Sequence, residues 1–269
     1  MTNESIFLLL IGFLVGTFGT LIGAGGGFIM VPVLLFMYPS LNPETVTAIS
    51  LTVVCFNALS GTIAYAYKKR IDYKSAIIFS LAASPGTILG VYAISFVPRK
   101  SFEFGFGVFM VLISIYLFFG VKKSIDLTIK KRKHPVRTLV DREGHEYQIS
   151  YNSTVGIFLS VIVGFLSSLS GIGGGIIHVP AMIKLLDFPV HIATATSHAI
   201  LMVMAAIGVM EHYLRGNLNS SFHQIIFLVP SVMLGAQLGA HLSSKVRGTW
   251  IIKGLAIALA SVGIRLLIF

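Results

Sequence analysis

A chain of 269 residues that is 55% hydrophobic and 11% charged, with a mean hydropathy of +0.88, carries less than half the charge of a soluble domain, where about 25% is usual. That composition excludes an ordinary water-soluble fold and predicts an all-α polytopic membrane protein. The net charge of +10 does not point to nucleic acid, because the cations gather in two loops: Lys68, Lys69, Arg70 and Lys74 in one, and eight residues between Lys122 and Arg142 in the other. Cytoplasmic loops are charged in this way.

In chain order, the first apolar run is Ser5–Ile22. No basic segment precedes Ile6–Val15, so this stretch reads as the first mature helix rather than a signal peptide. The run leads into Gly25-Gly26-Gly27, and Phe28–Tyr38 leaves it. A single crossing over this stretch would hold about 34 residues, roughly 50 Å of helix against a hydrocarbon core of about 30 Å. The triplet is therefore expected to bend the segment into a hairpin of one long and one shorter helix. Three further runs, Glu44–Tyr67, Lys74–Val97 and Ser101–Val121, read as transmembrane helices. The lone Cys55 falls in the first of these and has no partner for an intrachain disulfide.

A polar, basic stretch, Lys122–Asn152, follows. Within it Thr138–Ile149 is expected to form a small hairpin around Glu143-Gly144, and Lys130–Lys133 a solvated cytoplasmic run. Then the order repeats: Ser153–Ser170, a second triplet at Gly173-Gly174-Gly175, Ile176–Leu186, Val190–Leu214, Ser221–Ser244 and Thr249–Phe269. Three regions result: a first transmembrane repeat (1–121), a linker (122–152) and a second repeat (153–269).

The duplication is visible residue by residue. Gly16–Pro32 and Gly164–Pro180 superpose with one offset, triplet on triplet. Thr47-Ala48-Ile49-Ser50 matches Thr194-Ala195-Thr196-Ser197 after a one-residue slip. Pro85 and Gly90 are paired with Pro230 and Gly235, and Tyr65 with Tyr213. Each half holds a glycine-broken hairpin plus three transmembrane helices. That odd count of elements predicts inverted repeats. Inversion also places Lys184, Lys245 and Arg247 on the linker side and Arg215 opposite, while Arg99 and Lys100 lie opposite in either arrangement.

Paired, glycine-interrupted hydrophobic segments in two halves are the strongest sequence pointer to a transport site. Consecutive glycines free the backbone, and unwound backbone inside a bilayer is tolerated only against protein or a cavity. A helix beginning after such a break presents free N–H groups and a positive dipole end, which suits an anion. Gly25, Gly26, Gly27, Gly173, Gly174 and Gly175 are thus expected to bind substrate. Ser50, Asn57 and Ser197 would add neutral donors, and His198 and His178 could pair an anion or carry a coupling proton. The bland alternatives are close helix packing for the glycines and interhelical hydrogen bonds for the polar groups.

No Asp or Glu falls in the middle of a run; Glu44, Asp72, Glu103, Asp187 and Glu211 lie near ends. Cation sites want buried carboxylates, so an anionic cargo is favoured, with no metal or cofactor. No hydrolase, redox or zinc-protease motif occurs, and no Gly-Lys-Ser/Thr follows a triplet. Neither an enzyme nor a nucleotide-binding protein is expected.

At Gly16, Gly23-Ala24-Gly25-Gly26-Gly27-Phe28, Val31-Pro32, the span from Ala48-Ser50 to Asn57 and the loop Lys68–Asp72, with repeats at Gly171–Gly175 and Val179-Pro180, the chain resembles the TauE/SafE sulfite exporter family (TSUP). The resemblance covers both halves. It implies a multi-pass carrier of the prokaryotic inner membrane with a cytoplasmic linker. Its cargo would be sulfite, sulfonates such as sulfoacetate, or related sulfur-containing anions. Export through a midplane site between the repeats is the expected function. The alternatives are an anion channel of the same architecture, import of a related organic anion, and a membrane scaffold acting through the linker. Expected partners are the small anion, the lipid bilayer, a coupled proton and a second copy in a homodimer.

Overall fold

The computed structural model describes residues 3–120, 136–219, 221–243 and 248–268. The basic run Lys130–Lys133 and the pair Lys245 and Arg247 lie outside the described residues. Six helices are long and apolar enough to cross a bilayer: α1 (Asn3–Ile22), α3 (Pro43–Tyr67), α4 (Tyr73–Ile94), α6 (Ser153–Ser170), α8 (Val190–Leu214) and α9 (Phe222–Leu242). Two more, α2 (Gly27–Met37) and α7 (Gly175–Leu185), have 11 residues each, about 16 Å and too short to span. Each half closes on a further helix, α5 (Arg99–Gly120) and α10 (Gly248–Ile268). The chain is thus an all-α polytopic membrane protein.

Local chemistry sets the helix ends. Asn42 accepts the Thr45 N–H at 2.8 Å with Pro43 in the first turn of α3. Asn152 does the same for Thr154 at the start of α6. These are the preferred N-cap and first-turn residues. Gly171 ends α6 in the left-handed conformation, where glycine carries no Cβ penalty.

The halves are interlocked. Helix α1 packs on α9 of the other half, and α6 packs on α4. Helix α3 crosses its counterpart α8, α5 crosses α10, and the α3–α9 contact is mirrored by α8–α4. The directions are consistent throughout. Gly61 faces His198 and Gly208 faces Leu51, so α3 and α8 run antiparallel. Gly107 faces Gly263 and Ser114 bonds Ala256, so α5 and α10 also run antiparallel. Gly16 lies on Val232 and Gly239 on Thr17, so α1 and α9 are parallel. Gly86 on Val161 and Gly90 on Phe165 make α4 and α6 parallel. A Cβ at Gly16, Gly86, Gly164 or Gly235 would collide with a carbonyl oxygen of the neighbouring helix. Small residues permit such backbone approach where lipid offers no hydrophobic driving force.

These contacts also correct two sequence pairings. Gly235 lies on Phe13 and Thr17 as Gly86 lies on Val161 and Phe165, so Gly86, not Gly90, is its counterpart. The sequence pairing was about one turn out of register, a shift that leaves the same helix face inward. Tyr65 is buried while Tyr213 is exposed, and the buried residue at the matching place in α8 is His212. Leu10, Leu81, Phe158, Ile226 and Leu234 are exposed on the outer faces of their helices, as a lipid-facing belt requires.

Part of the linker forms the hairpin read from its sequence, β1 (Arg137–Val140) and β2 (Glu146–Ile149), paired antiparallel. It is seated on the α3–α4 turn. Arg137 grips Asp72 through two 3.0 Å hydrogen bonds. Buried Arg70 pairs with Asp141 at 3.1 Å and with Glu143 at 3.3 Å. The Arg142 N–H donates to the Lys68 carbonyl, and its guanidinium lies 3.9 Å from the Tyr67 ring centre.

Candidate functional site

The two glycine breaks meet at the centre. Gly23, Gly25, Gly26, Gly171, Gly173 and Gly174 all have positive φ, between 69° and 85°, a region open to glycine at little cost. Each loop turns a long helix back into a short one, so α2 and α7 both start at the crossing. As at every helix start, the first amides lack an intrahelical acceptor. The loops touch backbone to backbone: a Cβ on Gly27 would sit 2.5 Å from the Ile172 carbonyl oxygen, and one on Gly175 would collide with that of Gly23.

The hydroxyls sit in matching places. Ser50 Oγ donates to the Gly171 carbonyl at 2.6 Å, and Ser197 Oγ to the Gly23 carbonyl at 3.4 Å. Each serine thereby ties its helix to the glycine loop of the opposite half. Both are fully buried. The one-residue slip between the repeats is therefore structurally meaningful, since it aligns two equivalent bonds.

Asn57 breaks the symmetry. Its amide donates to the Gly25 carbonyl at 2.8 Å, its own carbonyl accepts from Thr20, and Tyr65 donates to the Thr20 carbonyl at 2.9 Å. Beside this chain lies His198, fully buried, against Gly61 and edge-on to Tyr65 at 5.4 Å, with neither ring nitrogen hydrogen-bonded. Leu51 occupies the equivalent place by Gly208.

The triplets, Ser50, Asn57, Ser197 and His198 thus come together. His178 does not join them. It faces α6 and α4, 3.2 Å from Ser160 Oγ and stacked 6.3 Å from Phe79. Four residues at the crossing lay outside the sequence expectation. Val54 and Leu201 each touch the positions where Cβ atoms would be on both loops, and Thr20 and Tyr65 complete the Asn57 chain. Val54 and Leu201 could have been found by extending the Ser50/Ser197 alignment. Thr20 lies inside the first repeat motif but carries no distinguishing signal.

Outside the membrane-spanning helices, the hairpin holds the clearest electrostatics. Burial alone would raise the Asp141 carboxyl. The N–H groups of His145 and Glu143 and the Arg70 guanidinium outweigh it and hold the group below its usual value. Asp141, Glu143 and His145 come close enough to share an ion, but Arg70 is already ion-paired with both carboxylates.

The sequence profile of the family described as "Sulfite exporter TauE/SafE" matches residues 8–266. The chain is 37% identical over 269 residues to the probable membrane transporter protein YunE of Bacillus subtilis, covering 97% of each chain. It is 29% identical over 255 residues to a probable membrane transporter protein of Methanocaldococcus jannaschii, covering 89% of this chain and 86% of the relative. A probable membrane transporter protein of Haemophilus influenzae is 26% identical, with 92% and 89% covered. No solved structure matches the chain.

Proposed function

The chain belongs to the sulfite exporter TauE/SafE family of membrane transporters, and from that premise we propose that it is a secondary carrier exporting small sulfur-containing oxyanions, such as sulfite or sulfoacetate, through a midplane site between two inverted repeats. The observation that carries this reading is the crossing of the glycine loops. Two helix N-termini converge there, among buried hydroxyl and amide groups that hydrogen-bond the loop carbonyls, with no carboxylate among the described residues at the crossing. Positive dipole ends and neutral donors suit an oxyanion.

The symmetric serine bonds favour a carrier over a channel. Each ties one half to the loop of the other, so rocking the halves would exchange one set of bonds for another. The buried state of Ser50, Asn57, Ser197 and His198 is what an occluded intermediate would present. The end bearing the hairpin also carries Lys68, Lys69, Arg70, Lys74 and Lys184, and it is taken as cytoplasmic under the positive-inside rule. With the interior negative, the membrane potential drives an anion outward by about 2.3 kcal/mol per charge per 100 mV. His198 is the group placed to exchange a proton with the cargo.

The test is counterflow in proteoliposomes with labelled sulfite against unlabelled sulfonates, sulfate, thiosulfate and carboxylates. Saturable exchange with sulfur oxyanions is expected. Ion conductance without saturable exchange would establish a channel instead. Replacing Gly26 or Gly174 by Leu is expected to abolish exchange in protein that still inserts, and normal exchange by both variants would remove the glycine crossing from the mechanism.

A further inference from the structure

The pseudo-symmetry that places Asn57, Thr20 and His198 on one side of the glycine crossing defines an equivalent region on the other side, and its polar groups are unsatisfied. Gly208 on α8 is the counterpart of Gly61 on α3. A methyl group on Gly208 would lie 3.1 Å from Leu51 Cδ1, 3.6 Å from Thr87 Cγ2 and 3.8 Å from Ser168 Oγ. Ser168 is the counterpart of Thr20. In the first half, Thr20 is bonded to Asn57. In the second, Met204 stands where an amide would be needed. Its methyl group lies by Gly174, and it has no donor or acceptor comparable to an amide.

The consequence is a run of orphans. The hydroxyls of Thr87 and Ser168 are buried and have no hydrogen-bond partner. One turn beyond Gly208 on the same face of α8 is His212, also fully buried. Its Nδ1 lies 3.1 Å from Asn217 Nδ2. An amide nitrogen can only donate, so Nδ1 accepts and the imidazole proton sits on Nε2. That Nε2–H is unpaired as well. Ser167, adjacent to Gly174, is a further unpaired hydroxyl that links this region to the glycine crossing. An unpaired buried polar group is destabilising, and of these Ser168 turns its hydroxyl, and Thr87 its methyl, to the Gly208 position. All can donate, and none carries charge.

We infer that Thr87, Ser168 and His212 around Gly208 form a second binding chamber for a small oxyanion, on the opposite side of the glycine crossing from His198. Helix α8 runs from the hairpin end towards the opposite end, so this chamber lies on the side away from the hairpin. It would receive the anion leaving the crossing, when α3 and α8 part enough to widen the gap at Gly208. Neutral donors hold an oxyanion loosely enough to release it. This inference rests on the reading of the protein as an oxyanion carrier.

The test uses the full-length protein in proteoliposomes of known orientation, with labelled sulfite supplied to one face at a time. Thr87→Val preserves shape and removes an unpaired hydroxyl, and Ser168→Ala is equally mild, so both are expected to fold. The half-saturation concentration at the face away from the hairpin should rise tenfold or more in each variant, with little change at the hairpin face. Gly208→Val should do the same by filling the chamber. A merely structural hydroxyl would give a Thr87→Val protein of equal or higher thermal stability and unaltered half-saturation at both faces. That outcome, with saturable exchange by the unaltered protein, overturns the chamber and leaves the carrier reading standing. No saturable exchange by the unaltered protein removes both.

Discussion

Single side chains do different work on the two sides of the centre. Asn57 satisfies Gly25 and Thr20 together, so Asn57→Ala would strand both groups in a buried setting. A loss of about 1–3 kcal/mol is expected from an orphaned buried group, read as a lower melting temperature in detergent. Ser50→Ala should destabilise more than Ser197→Ala, because the first bond is 2.6 Å and the second 3.4 Å. Equal effects on melting would mean the two bonds are equivalent in solution. The identities of Ser50, Ser197, Asn57 and His198 as polar residues in apolar runs were legible in the sequence. The partners of Ser50, Ser197 and Asn57 were not, because each bonds a residue at least 32 positions away. His178 shows the limit. Its place three residues after a triplet suggested the site, but helix phase turns it towards Ser160 and Phe79 instead.

Secondary elements were read with good fidelity wherever hydrophobic length and glycine decided the matter. The short α2 and α7 follow from the arithmetic of residues per ångström, and the hairpin from loose alternation around Glu143-Gly144. What holds that hairpin could not be read, since Arg70 and Arg137 looked like ordinary loop cations. Arg70 is nearly buried against Asp141, and breaking a buried pair by removing one partner is strongly destabilising. Arg70→Ala is therefore expected to release the hairpin, seen as faster amide exchange in β1 and β2. The pH dependence has a definite sign. Asp141 is held below its usual value when docked. Docking is thus supported at pH above the ordinary carboxylate range and fades as pH falls through the depressed value. Exchange protection of β1 and β2 that rose on acidification would contradict this. At the helix crossings, Gly16→Leu and Gly164→Leu should each yield little folded protein, because both would drive a side chain into a neighbouring backbone.

The whole molecule is an exchange of parts: α1 on α9, α6 on α4, α3 across α8 and α5 across α10. The antiparallel run of corresponding helices makes a topological prediction. Cysteines placed at Lys69 and Arg215, in a background without Cys55, should react with an impermeant thiol reagent from opposite faces of the membrane. Labelling of both from one face would rule out the inverted arrangement. Composition and run lengths were enough for the sequence alone to determine an all-α polytopic membrane protein, because bilayer thickness and backbone hydrogen bonding leave few other structures. Only the tertiary structure decided which helices of one half pack on which of the other, that the Pro85 and Pro230 alignment is about one turn out of register, and that polar groups around Gly208 lie unpaired. Such facts depend on helix phase and on contacts between residues far apart in the chain, and a four-residue shift that leaves the inward face of a helix unchanged leaves no trace in its hydrophobic pattern.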